Sequence, residues 1–268
     1  MKAVVFDLDD TLLRDDLSIS AFTVSVFRAL HRKGFAVVAA SGRAQLSMKP
    51  YVEKLGCVDA YISCNGAEIW DGSSHTLLHQ VQFPTETALD IARFAEKHDC
   101  YAQVYEGGRF CFNRQGIYAE RYAASARLTG CFVGRLSDYI HEPRNKILII
   151  DEPARISFLY REAVTLFADR ASVTCSKPQY LEFNPLSATK GNALVTVASY
   201  LKISPEFFIA FGDSLNDLSM LQNAGISVAV SNGWEEIRKI CHHICGSNNQ
   251  DGPARFLCDR YLNGEVSS

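Results

Sequence analysis

The chain has little that would serve a membrane, a nucleic acid or an oxidising exterior. No apolar run approaches the roughly 18 residues of a membrane span. Only Lys2 stands between Met1 and the strand-like run Ala3–Phe6, so the apolar core and small-residue cleavage site of a signal peptide are missing. The expected location is cytoplasmic. Basic residues do not cluster: 27 Lys and Arg face 30 Asp and Glu, for a net charge of −3. A nucleic-acid footprint needs grouped cations to displace counterions, so neither nucleic acid nor membrane is expected as a partner. The balance suits local recognition of a small anion rather than attraction through the overall field.

Cysteine is present but builds no framework. The nine cysteines are odd in number and scattered, which fits free thiols, most of them small buried hydrophobes. The tightest group, Cys241-His242-His243-Ile244-Cys245, lacks the second ligand pair of a structural zinc site, and Cys258 alone does not supply it. Fixed-period repeats and low-complexity segments are also missing. What is there is an ordinary globular composition, 47% hydrophobic and 21% charged over 268 residues, the size of about two domains.

Ala3–Phe6 is continuously apolar and ends in Asp7-Leu8-Asp9-Asp10-Thr11. Such a run reads as a strand buried on both faces of a parallel sheet. Ser18 or Ser20 can cap a helix that runs to Lys33, with Ile19, Phe22, Val26 and Leu30 as its apolar stripe and Gly34 as its stop. Phe35–Ala40 is a second apolar strand, ending in Ser41-Gly42-Arg43, and a helix to Leu55 follows, stopped by Gly56. Tyr61–Ser63 is a third strand, ending in Cys64-Asn65-Gly66. This alternation predicts an open parallel sheet with right-handed crossovers.

The pattern then changes to hairpins, around Asp71-Gly72-Ser73 and Glu106-Gly107-Gly108, interspersed with helices, the first introduced by Phe83-Pro84 with Thr85 as cap. It returns at Lys190–Leu201 (helix), Phe207–Phe211 (strand, ending in Gly212-Asp213), Leu218–Asn223 (helix) and Ile226–Val230 (strand). The expected fold is therefore α/β: a Rossmann-like doubly wound parallel sheet built from residues 1–82 and 184–268, with an α+β domain inserted at 83–183.

In open α/β sheets, ligands bind beyond the carboxyl ends of the strands. Asp7, Asp9, Ser41, Asn65 and Asp213 all follow such ends, and Lys190 opens a helix of the same domain. Asp7 and Asp9, two positions apart in an extended segment, point to the same side. Their repulsion would raise one pKa unless a cation intervenes, and Asp213 and Asp217 add further carboxylates. Oxygen donors of this kind suit Mg²⁺. A cation, a lysine, a hydroxyl and backbone amides together suit a phosphoryl group, whose transfer needs charge neutralisation and in-line placement. Asp7 is ionised near neutral pH and can serve as nucleophile, giving an aspartyl-phosphate, while Asp9 can act as general acid and then general base.

Taken together, Asp7-Leu8-Asp9-Asp10-Thr11, Ser41-Gly42-Arg43, Lys190-Gly191 and Gly212-Asp213-Ser214-Leu215-Asn216-Asp217 resemble the haloacid dehalogenase superfamily. Their order and spacing are similar to the Cof-type phosphatase branch, with its large α/β cap between the second and third motifs. The resemblance implies that Asp7 is the nucleophile and Asp9 the acid/base. It implies Mg²⁺ on the Asp7 side chain, the Asp9 backbone carbonyl and Asp213, supported by Asp217 directly or through water. Ser41 and Gly42 would bind phosphoryl oxygens, Lys190 would neutralise the phosphoryl charge and steady Asp7, and Asn216 would contact phosphate or orient Lys190. Asn65 and Gly66 stand where the family has an Asn-Gly turn. Asp10 stands where the family often has glycine, and Asp tolerates left-handed backbone better than most residues.

The same residues have plainer readings: Asp10 and Asp217 as cap or loop carboxylates, Thr11 and Ser41 as turn hydroxyls, Arg43 as a surface ion-pair partner, Gly212 as backbone freedom after a strand. The expected function is Mg²⁺-dependent hydrolysis of small phosphorylated metabolites, with sugar phosphates implied by the resemblance, by a monomer or homodimer. A phosphomutase or phosphotransferase using the same intermediate, or a non-catalytic sensor, are the alternatives. A dinucleotide-binding reading fails, because carboxylates rather than a glycine-rich cradle follow the first strand. Leaving-group selection is expected in the insert, with Tyr105, Glu106, Arg109, Asn113, Arg114 and Glu182 as candidates. The aromatic stretch Tyr101–Phe112 is expected to be hairpin core rather than a ligand platform.

Overall fold

The apolar runs become buried strands and the striped segments become the helices that cover them. The computed structural model describes residues 2–106 and 109–263, so Gly107 and Gly108 of the expected turn lie outside it. The chain begins β1 (Ala3–Asp7), α1 (Ala21–Arg32), β2 (Ala36–Ala40), α2 (Gln45–Leu55), β3 (Ala60–Ser63), β4 (Glu68–Asp71) and β5 (Leu77–Gln80). It continues α3 (Thr85–Lys97), β6 (Tyr101–Glu106), β7 (Arg109–Phe112), α4 (Ile117–Ala126), β8 (Gly130–Phe132), α5 (Leu136–Tyr139), β9 (Ile147–Ile150), α6 (Pro153–Leu166), β10 (Ser172–Lys177) and β11 (Tyr180–Asn184). It closes α7 (Lys190–Leu201), β12 (Phe208–Gly212), α8 (Leu218–Asn223), β13 (Ile226–Val230), α9 (Glu235–Ile240), β14 (His243–Cys245) and α10 (Gly252–Tyr261).

The chain divides into two compact units. One comprises Met1–Ser41, Met48–His79 and Thr189–Ser268; the other comprises Gly42–Ser47 and Gln80–Ala188. The second unit thus differs from the expected insert in taking in the short segment after Ser41. Within it, Lys146 Nζ donates to the Gly42 carbonyl at 3.0 Å, and Ala44 packs on an apolar cluster.

The first unit holds an eight-stranded sheet in the order β14-β13-β12-β1-β2-β3-β4-β5. Pairings from β14 to β3 are parallel, and β4 runs antiparallel to β3. The period of 2 along β1 sends Val4 and Phe6 into one apolar layer and Ala3 and Val5 into the other. The first layer is completed by Val26, Phe27 and Leu30 of α1 and Leu257 of α10, the second by Leu194 and Val197 of α7 and Met220 of α8. With both faces covered, only the strand ends remain for chemistry. Ser20 caps α1, its side chain accepting from the Thr23 N–H at 3.0 Å.

The second unit holds a six-stranded sheet, β10-β11-β9-β6-β7-β8. Leu181 and Phe183 of β11 and Ile147 and Ile149 of β9 join α3 and α6 in one cluster. Tyr101, Phe110 and Phe112 lie with Leu148 and Ile150 in another, so these aromatics are core. The expected cap at Thr85 is not formed: Pro84 takes the extended cap position, at φ −54° and ψ 146°, and Thr85 is already helical. Proline's fixed φ suits that place. Among the described residues no helix is long and apolar enough to cross a membrane.

Candidate active site

The β1–β2 register places Asp7 beside Ala40, and the β1–β12 register places Phe6 beside Phe211. The chain therefore leaves β1 at Asp7, β2 at Ser41 and β12 at Gly212-Asp213 along one edge. After Asp7 it makes a wide turn over Leu8–Leu12, closed by the Leu13 N–H on the Leu8 carbonyl at 2.8 Å. Asp9 is extended and half-buried, and Asp10 is left-handed at φ 56°. The Thr11 hydroxyl, one residue further, donates to Asp213 Oδ1 at 2.9 Å.

Lys190 lies at the centre of the group. It opens α7, capped by the Thr189 side chain accepting from the Asn192 N–H, and it is fully buried. Its Nζ donates to Asp7 Oδ1 and to Asp217 Oδ1, each at 2.6 Å. The other oxygen of Asp217 accepts from the backbone N–H groups of Asp213 (3.0 Å) and Ser214 (3.2 Å). Gly212 makes this possible, since a Cβ there would stand 2.6 Å from the Asp217 Cβ. Asp7, Asp213 and Asp217 are all buried, and ligand oxygens from the three lie within 4.8 Å of one another.

The electrostatics follow from this crowding. Burial pushes the Asp7 carboxyl well above its ordinary range; Lys190 opposes the shift, while Asp217, Asp213 and Asp9 add to it. Asp213 is pushed up to about 7 by burial and by Asp217, against Lys190 and the Thr11 hydrogen bond. Burial alone would lower Lys190, but Asp217 and Asp7 outweigh it and hold the ammonium above its ordinary value. The lysine thus stays charged. One ammonium against three carboxylates leaves two negative charges uncompensated. Protons relieve that excess at low pH, and a divalent cation with hard oxygen ligands relieves it otherwise. The donor set therefore fits Mg²⁺.

Ser41 is buried just beyond β2; its N–H donates to the Ile62 carbonyl at 2.9 Å, and its own carbonyl accepts from the Asn65 N–H at 3.0 Å. Asn65 is left-handed at φ 57°. The next residue, Gly66, has φ +107°, and a Cβ there would stand 2.3 Å from the Thr189 carbonyl oxygen. The Cys64–Gly66 turn and the start of α7 can approach only through that glycine. Asn216 Nδ2 donates to Asn65 Oδ1 at 3.2 Å, and its Oδ1 accepts from Ser214 Oγ at 2.8 Å. Lys190 is oriented by Asp7 and Asp217 and not by Asn216, which corrects one of the two roles expected for that residue. Gly42, expected with Ser41, belongs to the other compact unit. Arg43 donates to Ser47 Oγ at 3.1 Å within that unit.

In the second unit, Glu182 is buried and pairs with Lys146 at 2.9 Å. The Asn113 amide accepts from the Ala102 N–H and donates to the Cys100 carbonyl. Tyr105 meets Tyr122, Glu106 accepts from Tyr139, Arg114 pairs with Asp99, and Arg109 is exposed. Thr11 as a holder of Asp213, and Lys146, were not singled out from the sequence. Neither carries a spacing signal, because each acts through a contact made only in the fold.

Residues 4–257 match the family model of the haloacid dehalogenase-like hydrolases. The chain is 28% identical over 263 residues to a protein of Haemophilus influenzae described as a putative phosphatase, covering 97% of this chain and 98% of the relative. It is 28% identical over 268 residues to a 5-amino-6-(5-phospho-D-ribitylamino)uracil phosphatase of Bacillus subtilis, covering 95% of each. A crystal structure of a haloacid dehalogenase-like hydrolase from Bacteroides thetaiotaomicron superimposes with a TM-score of 0.89 at 25% identity, covering 97% of this chain and 99% of that one.

Proposed function

The chain belongs to the haloacid dehalogenase-like hydrolases, as a Cof-type phosphatase, and from that premise we propose that it hydrolyses small phosphorylated metabolites, with sugar phosphates as the substrate class, through a phosphoryl group carried on Asp7. The observation that supports this most is the clustering of Asp7, Asp213 and Asp217, with Asp7 and Asp217 bonded to a fully buried Lys190. A binding protein needs no such arrangement, whereas the proposed reaction uses a nucleophilic carboxylate at Asp7 and a second carboxyl, Asp9, two residues on.

In the proposed reaction a carboxylate oxygen of Asp7 attacks phosphorus in line with the ester oxygen, and the bond to that oxygen breaks. Asp9 gives its proton to the departing alkoxide. Water then attacks the phosphorus of the aspartyl-phosphate, Asp9 takes a proton from it, and the Asp7–phosphorus bond breaks to free phosphate and restore the carboxylate. Lys190 opposes the rise that burial imposes on Asp7 and aims its carboxyl, and Asp217 keeps Lys190 in place. Ser41 and Asn216 are assigned to the phosphoryl oxygens. Asp7, the Asp9 carbonyl and Asp213, supported by Asp217, would hold Mg²⁺, which would supply charge neutralisation at the transferring group. Leaving-group selection belongs to the same proposal and is assigned to residues 83–183. A ribityl phosphate, as in the name of the Bacillus subtilis relative, falls within the proposed substrate class.

A panel of phosphorylated metabolites assayed with and without Mg²⁺ tests the reading. Metal-dependent release of free phosphate from sugar phosphates is expected. Isomerised ester without free phosphate would make the protein a mutase, and a folded protein inert on the whole panel would make it a sensor.

A further inference from the structure

The turn that carries Asp9 is gripped from outside by two amides. Asp10 holds left-handed backbone, at φ 56° and ψ 2°, which an L side chain adopts only at a cost. Its carbonyl accepts a hydrogen bond from Asn232 Nδ2 at 2.7 Å. Asn232 follows β13 and is fixed in turn, since its Oδ1 accepts from the Asn248 backbone N–H at 3.0 Å. Asn248, beyond β14, is 2% exposed. Its Nδ2 donates to the Leu13 carbonyl and to Asp15, each at 3.0 Å. The two amides therefore hold the turn at Asp10 and again at Leu13, on either side of Thr11 and Leu12.

We infer that Asn232, seated on Asn248, is a positioning residue that fixes the direction of the Asp9 carboxyl by locking the Asp10 peptide. The inference rests on the proposed role of Asp9 in delivering a proton. The bonded carbonyl belongs to the Asp10–Thr11 peptide, so its release frees the left-handed φ and ψ of Asp10, and relaxation there shifts the adjoining Asp9–Asp10 peptide and with it the Asp9 carboxyl. Asn232 touches none of the reacting groups named above, so its contribution is to geometry, and the loss should fall on the step that needs the proton.

That step can be isolated by leaving group. An aryl oxide such as 4-nitrophenolate departs without protonation, whereas an alkoxide requires it. Because kcat/KM reports steps up to the first phosphoryl transfer, it separates proton delivery from later hydrolysis. The experiment measures kcat/KM for 4-nitrophenyl phosphate and for a simple alkyl phosphate in the wild type, Asn232→Ala and Asn232→Asp. The aspartate keeps an acceptor for the Asn248 N–H but removes the donor to Asp10, so it carries the comparison if the alanine variant does not fold. The expected result is a loss on the alkyl ester about tenfold larger than on the aryl ester, with an unchanged melting temperature for Asn232→Asp. Equal losses on both esters, or none, would overturn the inference while leaving the phosphatase reading intact. A wild type inert on both esters would remove that reading, and the inference with it.

Discussion

The crowded carboxylates make a quantitative statement about cation binding. Without a cation, burial and Asp217 push the Asp213 carboxyl up to about 7. It must lose its proton to serve as a ligand. At pH 6 the protonated form outnumbers the ionised one about tenfold, and at pH 8 the ratio is inverted. Asp213 alone therefore makes the apparent Mg²⁺ affinity rise about tenfold between those values. Asp7, shifted in the same direction, steepens the rise, so about tenfold is a lower bound. The stability sign runs opposite. Both groups have folded values above their unfolded ones, so their contribution is present below about pH 4 and lost as pH rises through the folded values. Calorimetric titration with Mg²⁺ in two buffers of different ionisation heat measures affinity and proton release together. The account expects about one proton or more released per ion at pH 6, with the share from Asp213 falling as pH rises through about 7, and a melting temperature raised by Mg²⁺ more at pH 8 than at pH 6. An affinity flat from pH 6 to 8, with no proton release, would refute the electrostatic reasoning.

Other perturbations follow from the same geometry. Lys190→Met removes the only cation contacting Asp7 and Asp217 among the described residues; breaking such a buried pair should cost about 3–5 kcal/mol in denaturant unfolding of the metal-free protein and abolish measurable turnover. Thr11→Val keeps the shape but removes the donor to Asp213. It should cost about 1 kcal/mol and move the rise in Mg²⁺ affinity to higher pH, because the hydrogen bond lowers Asp213; an unmoved pH profile would count against it. Gly66→Ala sets a Cβ against the Thr189 carbonyl at positive φ, and thermal unfolding should show a loss of roughly 1–3 kcal/mol.

Much of this was legible in the sequence because it was written in short-range signals. The uninterrupted apolarity of Ala3–Phe6 and Phe207–Phe211 reports a strand buried on both faces, and the two layers around Val4 and Val5 bear that out, with the second strand starting one residue later, at Phe208. The helix at Lys190–Leu201 came out with the expected bounds, and the structure adds its Thr189 cap. Nothing in the sequence marks β8, α5 and β14, which are three or four residues long. Nothing so short carries a period; their neighbours in the sheet or cluster make them. The cap at Thr85 failed because Pro84 satisfies the same backbone geometry one residue earlier. At the site, each carboxylate and the lysine could be named in advance, since each follows a strand end or opens a helix. What could not be read was who holds whom. Asp217 could be counted as a carboxylate, but not as the group that spends one oxygen on Lys190 and the other on two backbone amides. The Asn232 and Asn248 contacts to the Asp10 turn join positions more than 200 residues apart, and only tertiary structure creates them.

The most direct test of the account is chemical identification of the phosphorylated residue. Rapid mixing with a phosphate ester, acid quenching and borohydride reduction convert an acyl-phosphate to an alcohol, which marks the residue for peptide mass spectrometry. The account predicts the mark at Asp7 alone, formed and discharged at rates consistent with turnover, and absent in Asp7→Asn. Turnover by a protein that carries no mark at Asp7, or steady phosphate release by purified Asp7→Asn, would contradict it.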